Sequence, residues 1–570
     1  MRNWTWTVPL LAFAACRSSS VPAPEPAPPE PSPTFEERVD AFFRAELHDA
    51  PQLAVDLGFH EMDGQLPNMS AEALKRRVDR LRDALGVFER LATESPRQEY
   101  ERQIVLNRIR TELFELDVLR LPFRNPMSYP GLAPLSEYIS RDYAPEGDRA
   151  RAIVATCAGL PRLFEEAREN IETPIPKTWI ETALLQVRGL REFVEDDIPA
   201  AFTKLTTEER KQLETALVTC DDALVEYESY LDAQLPEGTD DFALGPELFL
   251  QMLAETEALE IDLKQLEAIG RADLDRNLAT LDRVAAEMGK PVDEAVKLVM
   301  ADKPAADRVL DVATDQAAEM RTFLDEMSIV SVPGTDRAVV KESPPFMRWN
   351  SAFLSSAGPF ETEDLPSFYY ISPPDPTWPE EVQRDYIPSR HDLLFITIHE
   401  VWPGHFLHRL HGKARESKVA KAFCTYAMAE GWAHYTEEMM LEQGVGNGDP
   451  KVHIGQLQNA LLRNVRYMSA IGLHAKDMTV EESKQLFLEK GLQDEGNARQ
   501  QAVRGTFDPG YLNYTLGKLM IRKLHDDWKA QEGDAYSLKR FHDEFLSYQC
   551  APVPVIRSLM LGSRDGVLTP

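Results

Sequence analysis

From residue 35 onward, apolar residues recur three or four positions apart, the period of an amphipathic helix. In residues 71–92 one face is marked by Leu74, Val78, Leu81, Leu85, Val87 and Leu91. The same pattern predicts helices over residues 100–119, 147–169, 206–235, 258–287 and 305–326, with their charged positions on solvated faces. No fixed repeat implies a solenoid. The texture changes between residues 328 and 388, where β-branched and aromatic residues mix with prolines. Two or three short strands are expected there, around 328–333 and 367–372. Helices resume near Ser389. The expected fold class is mainly α, a single large helical domain over 35–570 with a small extended region inside it.

Apolar residues make up 43% of the chain, enough for a globular protein. The 62 Lys+Arg face 94 Asp+Glu, a net charge of −32, which leaves no basic footprint and excludes nucleic acid as the main partner. Five cysteines, none in a CxxC pair, are too few for a disulfide scaffold. Cys157, Cys220, Cys424 and Cys550 read as buried apolar fillers, and spacing assigns no disulfide among them.

Cys16 is a special case. Residues 1–15 read as a signal peptide: Arg2, then an apolar run from Trp4 to Ala15 too short to span a bilayer. Residues 16–34 read as a lipidated cysteine and a stiff tether, with seven prolines among residues 21–33. This looks like a bacterial lipoprotein signal, although Phe13 stands where Leu is usual; the rival is secretion after Ala12-Phe13-Ala14. The expected location is the bacterial cell envelope, facing the periplasm or exterior, with membrane contact only through the N-terminal lipid.

Six of the twelve histidines lie between His391 and His434. The run from Leu393 to Trp402 is apolar apart from Thr397, His399 and Glu400, so the helix should be buried and Glu400 needs a partner. His-Glu followed by a second His is the grammar of a zinc hydrolase: imidazoles hold the metal, and the carboxylate takes a proton from metal-bound water. Here the histidines, His399 and His405, are six residues apart. On a regular helix that leaves them roughly 120° apart, unable to share an ion. Pro403 breaks the ladder and Gly404 permits a backbone excursion, which would turn His405 back toward His399. The alternative is that the helix ends at Trp402 and His405 is a capping or core residue.

A second segment carries Glu430 and His434 on one helix face, continued by Glu437 and Glu438. Glu430 would be the third ligand, leaving an open position for water. His434 would be a supporting or substrate-contacting group; otherwise it forms a surface ion pair with Glu437. His474 reads as a packed or capping residue.

With both segments in view the chain resembles the bacterial family known as domain of unknown function 885. The matching pieces are His399-Glu400-Val401-Trp402-Pro403-Gly404-His405, Glu430-Gly431-Trp432-Ala433, and Pro509-Gly510 followed by Tyr511, Tyr514, Gly517 and Lys518. The resemblance implies an exported, mostly helical zinc peptidase of the glutamate-ligand kind, with the same metal set and a deep cleft. By the same likeness, Tyr514 would stabilise the oxyanion, with Tyr511 as second choice, and Arg504 and Lys518 would hold a peptide carboxylate; the alternative is that Tyr511 and Tyr514 are packing residues at a helix start.

The expected function is zinc-dependent hydrolysis of short peptides in the cell envelope. Zinc would be held by His399, His405 and Glu430, Glu400 would be the base, and Tyr514 or His434 would assist. The rivals are a zinc hydrolase of another amide or ester bond and a non-catalytic envelope lipoprotein. No Gly-x-Ser-x-Gly elbow supports a serine hydrolase.

Overall fold

Thr34 accepts a hydrogen bond from the Glu37 amide while the Glu37 carboxylate accepts from the Thr34 amide, so the first helix, Phe35–Asp49, starts on a complete capping box directly after the proline run. The computed structural model describes residue 1 and residues 33–348 and 351–568. The leader, Cys16 and the tether up to residue 32 lie outside the described residues.

The fold is mainly helical. Helices Ala71–Arg90, Pro96–Leu113, Glu146–Asn170, Thr207–Gln234, Leu263–Glu287 and Val309–Met327 lie where the apolar period places them. One boundary shifts. Residue 258 does not open a helix; Ala258 closes Pro246–Glu257 in the left-handed region at φ 53°. The next helix starts after Asp262, whose side chain accepts from the Gln265 amide.

Residues 328–333 form no strand, against expectation. Ile329 and Val330 are buried in the core, and the Ser331 amide and hydroxyl are both taken by Asp543, at 2.7 and 2.8 Å. The strands are β1 (Ala338–Glu342), β2 (Ala352–Ser355) and β3 (Ser367–Ile371). Their order is β1-β3-β2, with β1 parallel and β2 antiparallel to β3, which leaves β2 at an edge. Tyr369 of β3 meets Thr397 through their hydroxyls at 3.3 Å, tying the sheet to the helix that carries His399.

Two apolar cores run through the molecule. One surrounds helices Glu146–Asn170, Lys177–Glu192 and Thr207–Gln234; the other contains Ile398, Trp402, Phe406 and Trp432. The four cysteines are not free fillers. Cys157 pairs with Cys220 across two helices, and Cys424 pairs with Cys550 over 126 residues of sequence. Such long-range pairs are set by tertiary packing, which local spacing does not encode.

The helix Tyr426–Glu442 crosses the helix Asn513–Glu532 backbone to backbone. A Cβ on Gly431 would lie 2.5 Å from Gly517 Cα, and one on Gly517 would lie 2.1 Å from the Ala427 carbonyl oxygen. Only glycine at both positions lets the helices approach this closely, and that approach brings Tyr514 toward Glu430.

Candidate metal centre

The helix Arg390–Glu400 opens on Ser389, whose hydroxyl accepts from the Asp392 amide at 3.1 Å. Its last regular bond runs from the Val401 amide to the Thr397 carbonyl at 2.9 Å. Pro403 has no amide to continue the ladder. The chain folds back instead, and the Gly404 amide donates to the Ile398 carbonyl at 3.0 Å. His405 then starts a new helix, His405–Lys413. Gly404 is required by close approach, since a Cβ there would sit 1.8 Å from the His399 carbonyl oxygen. Trp432 Nε1 donates to the Pro403 carbonyl at 2.9 Å and fastens the turn to the helix that carries Glu430.

This turn brings the two histidines together. Their rings lie 4.7 Å apart at 89°. Nε2 of His399 and Nε2 of His405 each lie 3.3 Å from Glu430 Oε2. That oxygen is enclosed and makes no hydrogen bond to either ring. The donor atoms of His399, Glu400 and His405 lie within 4.8 Å of one another. Two imidazole nitrogens and a carboxylate oxygen that converge in this way form a donor set suited to zinc. The group opens on one side: the side chains of His405 and Glu430 are 19% and 22% exposed, against 5% for His399.

Burial works against charge on Glu430, but His405 and His399 hold its carboxyl well below the usual carboxylate range. Glu400 moves the other way. Burial raises its pKa against the pull of the two histidines. Its Oε2 accepts the Leu354 amide of β2 at 2.9 Å, so the sheet edge aims it. His399 is raised to about 9, because Glu430 and Glu437 outweigh burial and Arg463.

Glu437 organises the layer behind His399. It is fully enclosed; Oε1 lies 2.7 Å from His399 Nδ1 and 3.1 Å from Arg463, and Oε2 lies 3.1 Å from His434 Nδ1. A carboxylate on Nδ1 fixes the tautomer that leaves Nε2 free for a metal. Sequence reasoning placed Glu437 on the face of Glu430 and His434 without a role, or as a surface ion partner of His434. Its signal was its place one turn beyond His434, on a helix face with too many apolar neighbours to be solvated.

Several expected residues lie elsewhere in the chemistry. His434 is fully buried and turned to Glu437, and burial pushes its pKa down to about 4; it does not reach the open side. Tyr511 is also fully buried and donates to Ser469 Oγ at 2.8 Å, a packing role. Lys518 is sealed in an ion cluster, 2.8 Å from Asp273 and 3.4 Å from Glu438. Arg504 is committed to Asp508 and the Tyr426 hydroxyl, each at 2.9 Å. Lys518 is therefore not free to bind a ligand, whereas the Arg504 side chain keeps 32% of its surface exposed. Tyr514 does stand beside the convergence, its ring 6.3 Å from that of His399. Its hydroxyl makes no hydrogen bond among the described residues, and burial raises its pKa. His474 is packed as expected, at 2.7 Å from the Gly505 carbonyl. A second convergence, His408 with Cys424 and Cys550, is closed to metal by the disulfide.

The model of a bacterial protein family of unknown function, DUF885, matches residues 51–560. A candidate lipoprotein of unknown function from Shewanella oneidensis has a similar structure, with a TM-score of 0.78 at 26% identity over 93% of this chain and 100% of that one. A candidate lipoprotein from Colwellia psychrerythraea shares the fold at 18% identity, with a TM-score of 0.77 over 94% of this chain and 100% of that one. No curated protein matches the chain.

Proposed function

The chain belongs to the bacterial DUF885 family, and we propose that it is a zinc-dependent peptidase of the cell envelope, anchored through Cys16. The observation that carries this reading is the unbonded Glu430 Oε2, 3.3 Å from both histidine Nε2 atoms, with Glu400 beside them. His399, His405 and Glu430 would hold the zinc, which supplies Lewis acidity to the scissile carbonyl and the attacking water. Glu400 takes the proton of that water on its carboxylate and passes it to the leaving amine. Its raised pKa suits both halves of that transfer. Tyr514, with its free hydroxyl, donates to the developing oxyanion. The likeness to a candidate lipoprotein supports the anchor at Cys16. Burial of the motif among helices favours short peptides over folded proteins.

The test is zinc content and peptide hydrolysis measured together on the purified protein and on Glu400→Gln. Zinc in both, with hydrolysis only in the parent, is expected. Zinc in both with no peptide cleaved would favour hydrolysis of another bond or a binding role. Absence of zinc from both would remove the ligand assignment.

A further inference from the structure

The helix Pro450–Ala475 carries Arg463 and Arg466 one turn apart, and only 7% and 8% of these residues is exposed. Arg463 is occupied: it lies 3.1 Å from Glu437 and donates to the Asn459 carbonyl and amide oxygens at 3.0 and 2.9 Å. Arg466 is different. Its Nε donates to the neutral Gln501 Oε1 at 2.9 Å, and its guanidinium lies over the Tyr514 ring, 4.9 Å from the centroid. Among the described residues no carboxylate pairs with it. Its two terminal nitrogens have no hydrogen-bond partner among the described residues and are not among the sealed polar atoms, so they open on accessible space.

A buried cation with only a neutral amide partner is costly. Here Arg504 and Arg463 add repulsion, which together with burial lowers the Arg466 pKa. Arg463 and Arg504 already have carboxylate partners, so Arg466 is the guanidinium of this group left to pair with an anion. The Tyr514 ring links this site to the metal ligands, 4.9 Å from the Arg466 guanidinium and 6.3 Å from the His399 ring. An anion on Arg466 therefore lies within about three extended residues of the scissile position.

We propose that Arg466 anchors the free C-terminal carboxylate of a short peptide, so that the enzyme cleaves near the C-terminus. The inference rests on the peptidase reading for the cleavage and on Arg466 alone for the anchoring. Planar guanidinium nitrogens pair with a carboxylate in two parallel hydrogen bonds. A Glu or Asp side chain offers the same chemistry, and the test separates the two sources.

The probes are N-acetyl-trialanine as the free acid, its C-terminal amide, and an amide with Glu in the last position. Each is titrated calorimetrically into Glu400→Gln protein, which does not turn the probes over, with and without Arg466→Gln. The free acid should bind about ten- to a hundredfold more tightly than the plain amide, the range of a charge-assisted pair. Arg466→Gln should abolish that preference, and Arg466→Lys should restore part of it. Equal affinity for acid and amide, including no binding of either, would overturn the proposal on Glu400→Gln alone, even if the Arg466 variants fail to fold. So would an acid preference that survives Arg466→Gln. A Glu amide that binds as tightly as the free acid would overturn the C-terminal assignment in favour of an acidic side chain. A preference in binding without hydrolysis by the parent would instead count against the peptidase reading and leave Arg466 as the anchor.

Discussion

Gly404→Ala is the sharpest probe of the turn that brings the two histidines together. The new Cβ would start 1.8 Å from the His399 carbonyl oxygen and 2.5 Å from both the His399 carbonyl carbon and the Ile398 oxygen. All three are backbone atoms, so no side chain can swing aside. Reaching ordinary contact, 3.4 Å or more, requires the strands of the turn to part by about 1.5 Å. Metal–ligand distances tolerate about 0.2 Å. His405 would therefore leave the metal position, and zinc affinity should fall by more than about a hundredfold, beyond what losing a mere supporting residue does. Competition against a chromophoric chelator reads the affinity, elemental analysis reads the occupancy, and circular dichroism checks that the helices persist. Gly189→Ala is the control. It lies in the last turn of the helix Lys177–Glu192 with no atom within 4 Å of the added Cβ, and should gain up to about 0.5–1 kcal/mol of stability with zinc unchanged. If Gly404→Ala binds zinc like the parent, the turn does not set the ligand geometry and the reasoning fails.

Glu437→Gln keeps the shape but removes the charge between His399, His434 and Arg463, so zinc affinity should drop about ten- to a hundredfold and the melting temperature should fall; an unchanged affinity would show that His399 needs no orienting carboxylate. Because Glu430 and Glu437 hold a proton on metal-free His399, zinc binding near neutral pH should release protons and strengthen as pH rises. Calorimetry in buffers of different ionisation enthalpy reads that release, and buffer-independent heats would contradict it. Glu257 is buried with Oε2 unpaired, and burial raises its pKa from 4.5 to about 7 against the Ala427 amide. The folded state thus keeps a proton that the unfolded chain has lost, so this group's contribution is full below pH 4.5 and is lost as pH rises to about 7. Glu257→Gln should remove about 3 kcal/mol of that pH dependence, seen as a flatter profile of unfolding free energy between those limits; parallel profiles would show that Glu257 ionises normally.

The parts legible in the sequence were those decided locally. Leu74, Val78 and Leu81 announce their helix by spacing alone, and all three are buried. His399, Glu400 and His405 stood out because polar residues in an apolar run need a reason, and Pro403-Gly404 supplied the turn. What stayed hidden was pairing over distance. Lys518 meets Asp273 across 245 positions, a contact no window reveals, and so a candidate ligand-binding cation turned out to be sealed. Arg466 is the converse, a cation whose lack of a carboxylate among the described residues shows only once its neighbours are placed. The apolar residues 329 and 330 suggested a strand, yet the backbone at Ser331 was claimed by Asp543 of a remote helix.

The fold-back at Pro403-Gly404 also constrains how this motif can change by inheritance. Histidines four residues apart share a helix face, whereas a spacing of five leaves them about 140° apart. With the proposed zinc at this convergence, a lineage could not walk from the compact spacing to the present six by single insertions and keep that metal at each step. The turn has to arrive, and be lost, as one block. Single-residue insertions or deletions between His399 and His405 should therefore be purged.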